Sequence, residues 1–120
     1  MRITKDLVAA SATPLVLGIL ADGDSYGYAI LKQVNELSDG QLEWTDGLLY
    51  PLLHRLERLG HVESFWENPP GGRKRKYYRI TGQGRAELVE QRKQWAAVVA
   101  TLRGVWDSTR MPPLAWEGGR

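Results

Sequence analysis

Apolar residues recur along this chain with two different periods, and each change of period marks an element. Leu7 to Ala21 is rich in alanine and leucine and reads as a helix. Within it, Thr13-Pro14 offers a second starting point, a threonine cap followed by proline at the first helical position. Asp22-Gly23-Asp24-Ser25 is a turn ending in a good N-cap, and Tyr26, Ile30, Val34 and Leu37 follow it at helical spacing. Ser38-Asp39-Gly40 closes this second helix, and Gln41 to Trp44 is a short connection.

Thr45 or Asp46 caps a third helix that runs to about Leu59, with Gly60 as its stop. Leu48, Leu49, Leu52, Leu53, Leu56 and Leu59 fall on one arc, which predicts the buried face. Gly47, Tyr50, His54, Glu57 and Arg58 fall on the opposite arc, flanked by Pro51 and Arg55. Pro51 removes the hydrogen bond to the Gly47 carbonyl, so a distorted first turn is expected.

From His61 to Glu67 the period drops to two, placing Val62, Ser64 and Trp66 on one side of a strand. Asn68-Pro69-Pro70-Gly71-Gly72 is turn chemistry. Lys76 to Thr81 returns as a second strand, with Tyr78 and Ile80 inward and Tyr77 and Arg79 outward. Thr81 then caps a long helix from about Gly84 to Asp107. Along it Leu88, Arg92, Trp95, Val99, Leu102 and Trp106 alternate spacings of four and three, the seam of a helix that pairs with another helix. Residues 108–120, with Pro112-Pro113 and Gly118-Gly119, read as a loose, flexible tail. The order predicts a mainly α fold with a small β-hairpin. It is a winged helix-turn-helix over residues 7–81, followed by a C-terminal dimerisation helix over residues 82–107.

Charge sharpens this picture through its distribution. The 120 residues carry a net charge of only +2, yet residues 1–60 sum to −3 and residues 61–120 to +5. Arg73, Lys74, Arg75 and Lys76 are consecutive and fall at the predicted hairpin tip. Adjacent cations repel one another, so the cluster calls for an anionic partner, and the phosphates of double-stranded DNA fit it. The exposed arc of the third helix would enter a major groove. Tyr50 and His54 are placed to donate to phosphates or base edges, and Arg55 or Arg58 to reach guanine or phosphate. Tyr26 and Thr45, at the openings of the second and third helices, complete the expected DNA-binding set. The bland reading of the same arc is a solvated helix face, and Glu57 speaks for it. For the whole chain, the alternative is a winged-helix module that binds another protein and never touches DNA.

Little supports an enzyme. Without cysteine, disulfides, thiolate catalysis and cysteine-ligated zinc are excluded. His54 and His61 are seven residues apart, nearly two helical turns, and do not share a metal easily. Gly82-Gln83-Gly84 lacks the surroundings of a phosphate loop, so neither cofactor nor metal is expected. The longest apolar run, Leu15 to Ala21, is too short to span a membrane. Met1 to Asp6 lacks the layout of a signal peptide, which makes the cytoplasm the expected compartment.

Three motifs in order resemble the PadR-like transcriptional regulators: Tyr26-Gly27-Tyr28-Ala29-Ile30, Leu49-Tyr50-Pro51 with its leucine-rich continuation to Gly60, and Gly72-Arg73-Lys74-Arg75-Lys76-Tyr77-Tyr78. Gly84-Arg85 matches the opening of the family's last helix, and the likeness spans about residues 7–106. It accounts for Pro51 and favours an earlier start for the first helix, kinked or broken near Pro14. One departure is Leu48, where many relatives carry a serine or threonine.

The resemblance implies a homodimer in which the last helix packs against the partner's first helix. It also implies repression at an operator, pseudo-palindromic for a two-fold protein, relieved by a small ligand or a stress signal. Trp95 has two readings. It is interface core, or it is the tryptophan on which multidrug-sensing members stack a planar aromatic effector.

Overall fold

The computed structural model describes residues 1–108. The elements follow in the order α1 (Lys5–Ala21), β1 (Ser25–Tyr26), α2 (Gly27–Leu37), α3 (Asp46–Arg58), β2 (Val62–Glu67), β3 (Arg75–Ile80) and α4 (Gly82–Asp107). Met1–Leu88 forms one compact unit, and the described residues from Val89 to Ser108 belong to another. The tail predicted for residues 108–120 lies outside the described residues except for Ser108.

The first helix starts at Lys5 and runs unbroken through Pro14, so the start offered by Thr13 is not used. Proline leaves the Ala10 carbonyl without its helical donor, and Ala10 is exposed, where water can take the donor's place. On the inner side Val8, Ala12, Val16, Leu17, Ile19 and Leu20 are buried. From Ala12 onward they meet Ile30 and Val34 of α2, Leu49, Leu52, Leu53 and Leu56 of α3, and Val62, Tyr78 and Ile80 of the sheet in one core. The leucine arc of α3 therefore faces inward as its spacing predicts. Its ends do not: Leu48 is half-buried, and Leu59 lies past the last turn and is exposed.

The second helix opens differently from the sequence expectation. Ser25 is not its N-cap, and Tyr26 is not its first turn. Both residues are extended and pair with β3, Ser25 opposite Tyr78 and Tyr26 opposite Tyr77. The helix begins at Gly27, and no side chain caps it. The backbone groups of residues 25–26 find their partners across the sheet, in the ladder with β3, and this holds both residues extended up to the helix start.

Local signals end the helices sharply. Asp39, at φ 54°, and Gly40 follow α2, and Gly60, at φ 79°, follows α3. After α3, Gly60 donates to the Glu57 carbonyl at 3.0 Å and His61 to the Leu56 carbonyl at 2.9 Å, the paired bonds of a Schellman motif. Thr45 caps the start of α3, its hydroxyl accepting from the Leu48 N–H at 3.3 Å. Pro51 leaves α3 continuous.

β2 and β3 pair antiparallel from Val62 opposite Ile80 to Glu67 opposite Arg75, and the sheet order is β1-β3-β2. In the connecting loop Gly72 donates to the Pro69 carbonyl at 3.0 Å, and Gly71 has φ 72°. Pro70 and Gly71 thus hold the two central positions of a type II turn. Thr81 joins the sheet to α4: its hydroxyl donates to the Gly60 carbonyl at 2.6 Å and accepts from the Gly84 N–H at 3.0 Å. α4 starts two residues earlier than its sequence pattern suggests, at Gly82. Among the described residues no helix is long and apolar enough to cross a membrane.

Candidate nucleic-acid interface

One cleft of about 640 Å³ separates the outer arc of α3 from the hairpin. Tyr50 and His54 line it from α3, Tyr26 from β1, and Gly27 and Tyr28 from the start of α2. The hairpin contributes Trp66, Arg73, Arg75, Lys76 and Tyr78. Aromatic rings and cations thus share one concave surface.

The expected contact residues do not all face it. His54 and Arg58 are exposed on the outer arc of α3. Arg55 turns the other way and donates from Nη2 to the Thr13 hydroxyl of α1 at 3.4 Å. Thr45 is exposed but engaged as the helix cap. Glu57, whose place on the arc favoured a plainly solvated face, turns toward the sheet and accepts from the Ser64 hydroxyl at 2.6 Å. The outer arc beside the cleft is therefore less acidic than the sequence suggests.

The basic block is divided rather than carried whole at the tip. Arg73 and Lys74 lie in the loop, while Arg75 and Lys76 open β3. Alternation along β3 sends the latter two to opposite faces. Lys76 sits 5.7 Å from the Tyr78 ring on the core side, and Lys74 sits 5.4 Å from the Trp66 ring. Arg75 lies over Tyr26 on the other face, 4.6 Å from the ring centroid. That face carries a run of rings in which Tyr26 meets Tyr77 edge-on at 5.2 Å and Tyr77 stacks on Phe65 at 5.8 Å. Tyr26 is thus bound up in the sheet rather than free on a helix.

Among the described residues, Tyr78 and Arg79 are electrostatically perturbed. Burial, then the negative charge of Glu57 and the neighbouring Tyr50, push the Tyr78 phenol above its ordinary value. The hydrogen bonds and charge of Asp24 raise Arg79 further above the ordinary guanidinium range.

Four residues of the cleft have no contact role in the sequence reading, although Gly27, Tyr28 and Tyr78 stand in its motifs. Tyr28 is exposed at the first turn of α2, and Gly27 beside it gives room to the Tyr50 ring. Tyr78 reads as core, and its ring is core, yet it also reaches the cleft wall. Trp66 keeps the side that alternation predicts, but the sheet outruns the core at that end and the ring is 58% exposed. The signal available for Trp66 was its position next to the basic block.

Three helices, a three-stranded antiparallel hairpin sheet and a helix-to-hairpin cleft define a winged helix-turn-helix protein. The profile of the Transcriptional regulator PadR-like family matches residues 16–90, and the chain belongs to that family. The chain is 42% identical over 78 residues to the transcriptional regulator Rv3488 of Mycobacterium tuberculosis, covering 65% of this chain and 69% of that protein. It is 31% identical over 96 residues to an uncharacterised protein of Lysinibacillus sphaericus, covering 80% and 88%. A PadR-like transcriptional regulator of Bacillus cereus superposes with a TM-score of 0.78 at 27% identity, covering 88% of this chain and all of that one. The family consists of DNA-binding transcriptional regulators, not enzymes.

Proposed function

We propose that this protein is a sequence-specific repressor that binds a pseudo-palindromic operator as a homodimer and is released by a small ligand or a stress signal. The observation that carries the DNA-binding part is the shared cleft: Tyr50 and His54 on one wall, Arg73, Arg75 and Lys76 on the other. A helix inserted in a major groove brings such a wing to the flanking phosphates. In this reading Tyr50, His54 and Arg58 meet the groove, and Arg73, Lys74 and Lys76 meet the backbone. Tyr26, Thr45, Arg55 and Arg75 act from their engaged positions, as supports that exchange partners on binding.

Dimerisation belongs to α4. In the single chain Val99, Leu102 and Trp106 are about 40% exposed, and Arg92 is exposed as well. Trp95 is half-buried, and Leu88 packs on the core of the first unit. Apolar side chains at seam spacing on a long helix gain by covering one another in a second copy. The working division is then a DNA-binding part through Thr81 and an assembly helix from Gly82. Trp95 near the middle of that helix is the proposed stacking surface for a planar aromatic effector.

Sequencing of the genomic fragments retained by the purified protein tests the reading. One enriched, two-fold symmetric motif is expected. No enriched DNA together with a stoichiometric protein partner would instead favour an interaction module. For the effector, titration with a planar cationic dye should quench tryptophan emission in the wild type and not in Trp95→Ala. Equal responses would remove Trp95 from the role.

A further inference from the structure

Asp24 and Arg79 lie outside the cleft, and nothing in the reading above employs them. Continuing the register of Ser25 with Tyr78 and Tyr26 with Tyr77 sets Asp24 directly opposite Arg79. The guanidinium takes the carboxylate with a fork: Nε donates at 3.2 and 3.3 Å, and Nη2 at 2.9 Å. Its plane also lies over the Phe65 ring, 4.5 Å from the centroid. Arg79 therefore stands on β3, covers a ring of β2 and holds the residue that leads into β1.

The attachment it reinforces is thin. β1 has two residues and runs straight into α2. Two residue pairs are few for a hairpin that must hold its cations at a fixed offset from α3. A fork-shaped pair sets direction as well as distance, which a flexible lysine does not.

We infer that Asp24 and Arg79 are positioning residues that clamp the wing to the helix pair and so set where Arg73 and Lys74 meet DNA. This rests on the DNA-binding reading. It also reverses a simple electrostatic expectation. An acidic residue beside a DNA-binding surface repels phosphate, so its removal by itself should tighten binding. A clamp predicts that its removal loosens binding.

The test uses the full-length protein, its own promoter fragment and a scrambled fragment of equal length. Asp24→Asn and Arg79→Lys should each weaken promoter binding by about fivefold or more, the scale of coupled contacts. Binding to the scrambled fragment should stay as in the wild type for Arg79→Lys, which keeps the charge, and should hold or tighten for Asp24→Asn, which loses a negative one, because non-specific binding depends on charge more than on placement. The swap Asp24→Arg with Arg79→Asp should recover most of the affinity, and it carries the test if a single variant fails to fold. The clamp is overturned if Asp24→Asn binds the promoter as tightly as the wild type or more so, or if a folded swap remains as weak as the single variants. Failure of the wild type to prefer its promoter over the scrambled fragment would sink the DNA-binding reading instead.

Discussion

The Tyr50 hydroxyl fills the position that a Cβ on Gly27 would take, so the third helix places its ring only because the second helix begins with glycine. The glycine is buried while the tyrosine remains partly exposed in the cleft. Close approach at Gly27, not backbone freedom, explains this glycine. Gly27→Ala should fold, since alanine suits a helix start and the far end of the ring can swing away. Its promoter affinity should fall by about tenfold, the loss of one well-placed contact. Fluorescence anisotropy checks this, and unchanged affinity would remove Tyr50 from the recognition surface.

Gly84 is a harder constraint, because what surrounds it is backbone. A Cβ there would run into the His61 carbonyl oxygen and Cγ1 of Ile80, at the joint between sheet and last helix. Gly84→Ala should cost about 1–3 kcal/mol, as overpacking does. Urea denaturation measures it, and an unchanged midpoint would contradict the tight joint.

The buried phenol of Tyr78 gives a pH dependence with a definite sign. Its folded pKa is raised above the ordinary 10.0 by burial, then by Glu57 and Tyr50. Above that ordinary value the unfolded chain loses the proton first, so the native state binds more protons and stability falls as pH rises. Its contribution is complete below pH 10.0 and disappears as pH climbs toward the folded pKa. Tyr78→Phe should flatten this alkaline loss in thermal melts collected from pH 8 to 11, about the span in which a phenol titrates. An identical alkaline slope in the variant would assign the loss to other groups.

The three-helix frame was legible because its signals are local and repeated. Leu49, Leu52, Leu53 and Leu56 announce a buried stripe, and Gly60 announces its end. The return strand was legible from Tyr78 and Ile80 for the same reason. β1 was not, since two residues carry no period and Ser25 imitates a cap. Partners chosen across the fold were also hidden. Arg55 with Thr13 and Arg79 with Asp24 are 42 and 55 residues apart, and no spacing rule reaches that far. Glu57 looked like part of an open arc until Ser64 of the neighbouring strand claimed it.

The exposed apolar residues of the last helix predict assembly. Leu102 is 41% exposed in the single chain and stands in the seam with Val99 and Trp106. Leu102→Glu should shift sedimentation velocity from dimer toward monomer and make the melting temperature fall on dilution, because dimer stability depends on protomer concentration. A wild type that sediments as a monomer at all concentrations would contradict the assembly helix.

The claim that a divided basic wing meets DNA phosphates is tested most directly by salt. The logarithm of the affinity for the promoter fragment should fall linearly with the logarithm of salt concentration, as counterion release requires. Arg73 and Lys74 are both exposed in the hairpin loop. The Arg73→Ala, Lys74→Ala double variant should shallow that slope by about 2, roughly one for each phosphate contact removed. A slope equal to the wild type's, with equal affinity, would mean that the wing does not touch DNA.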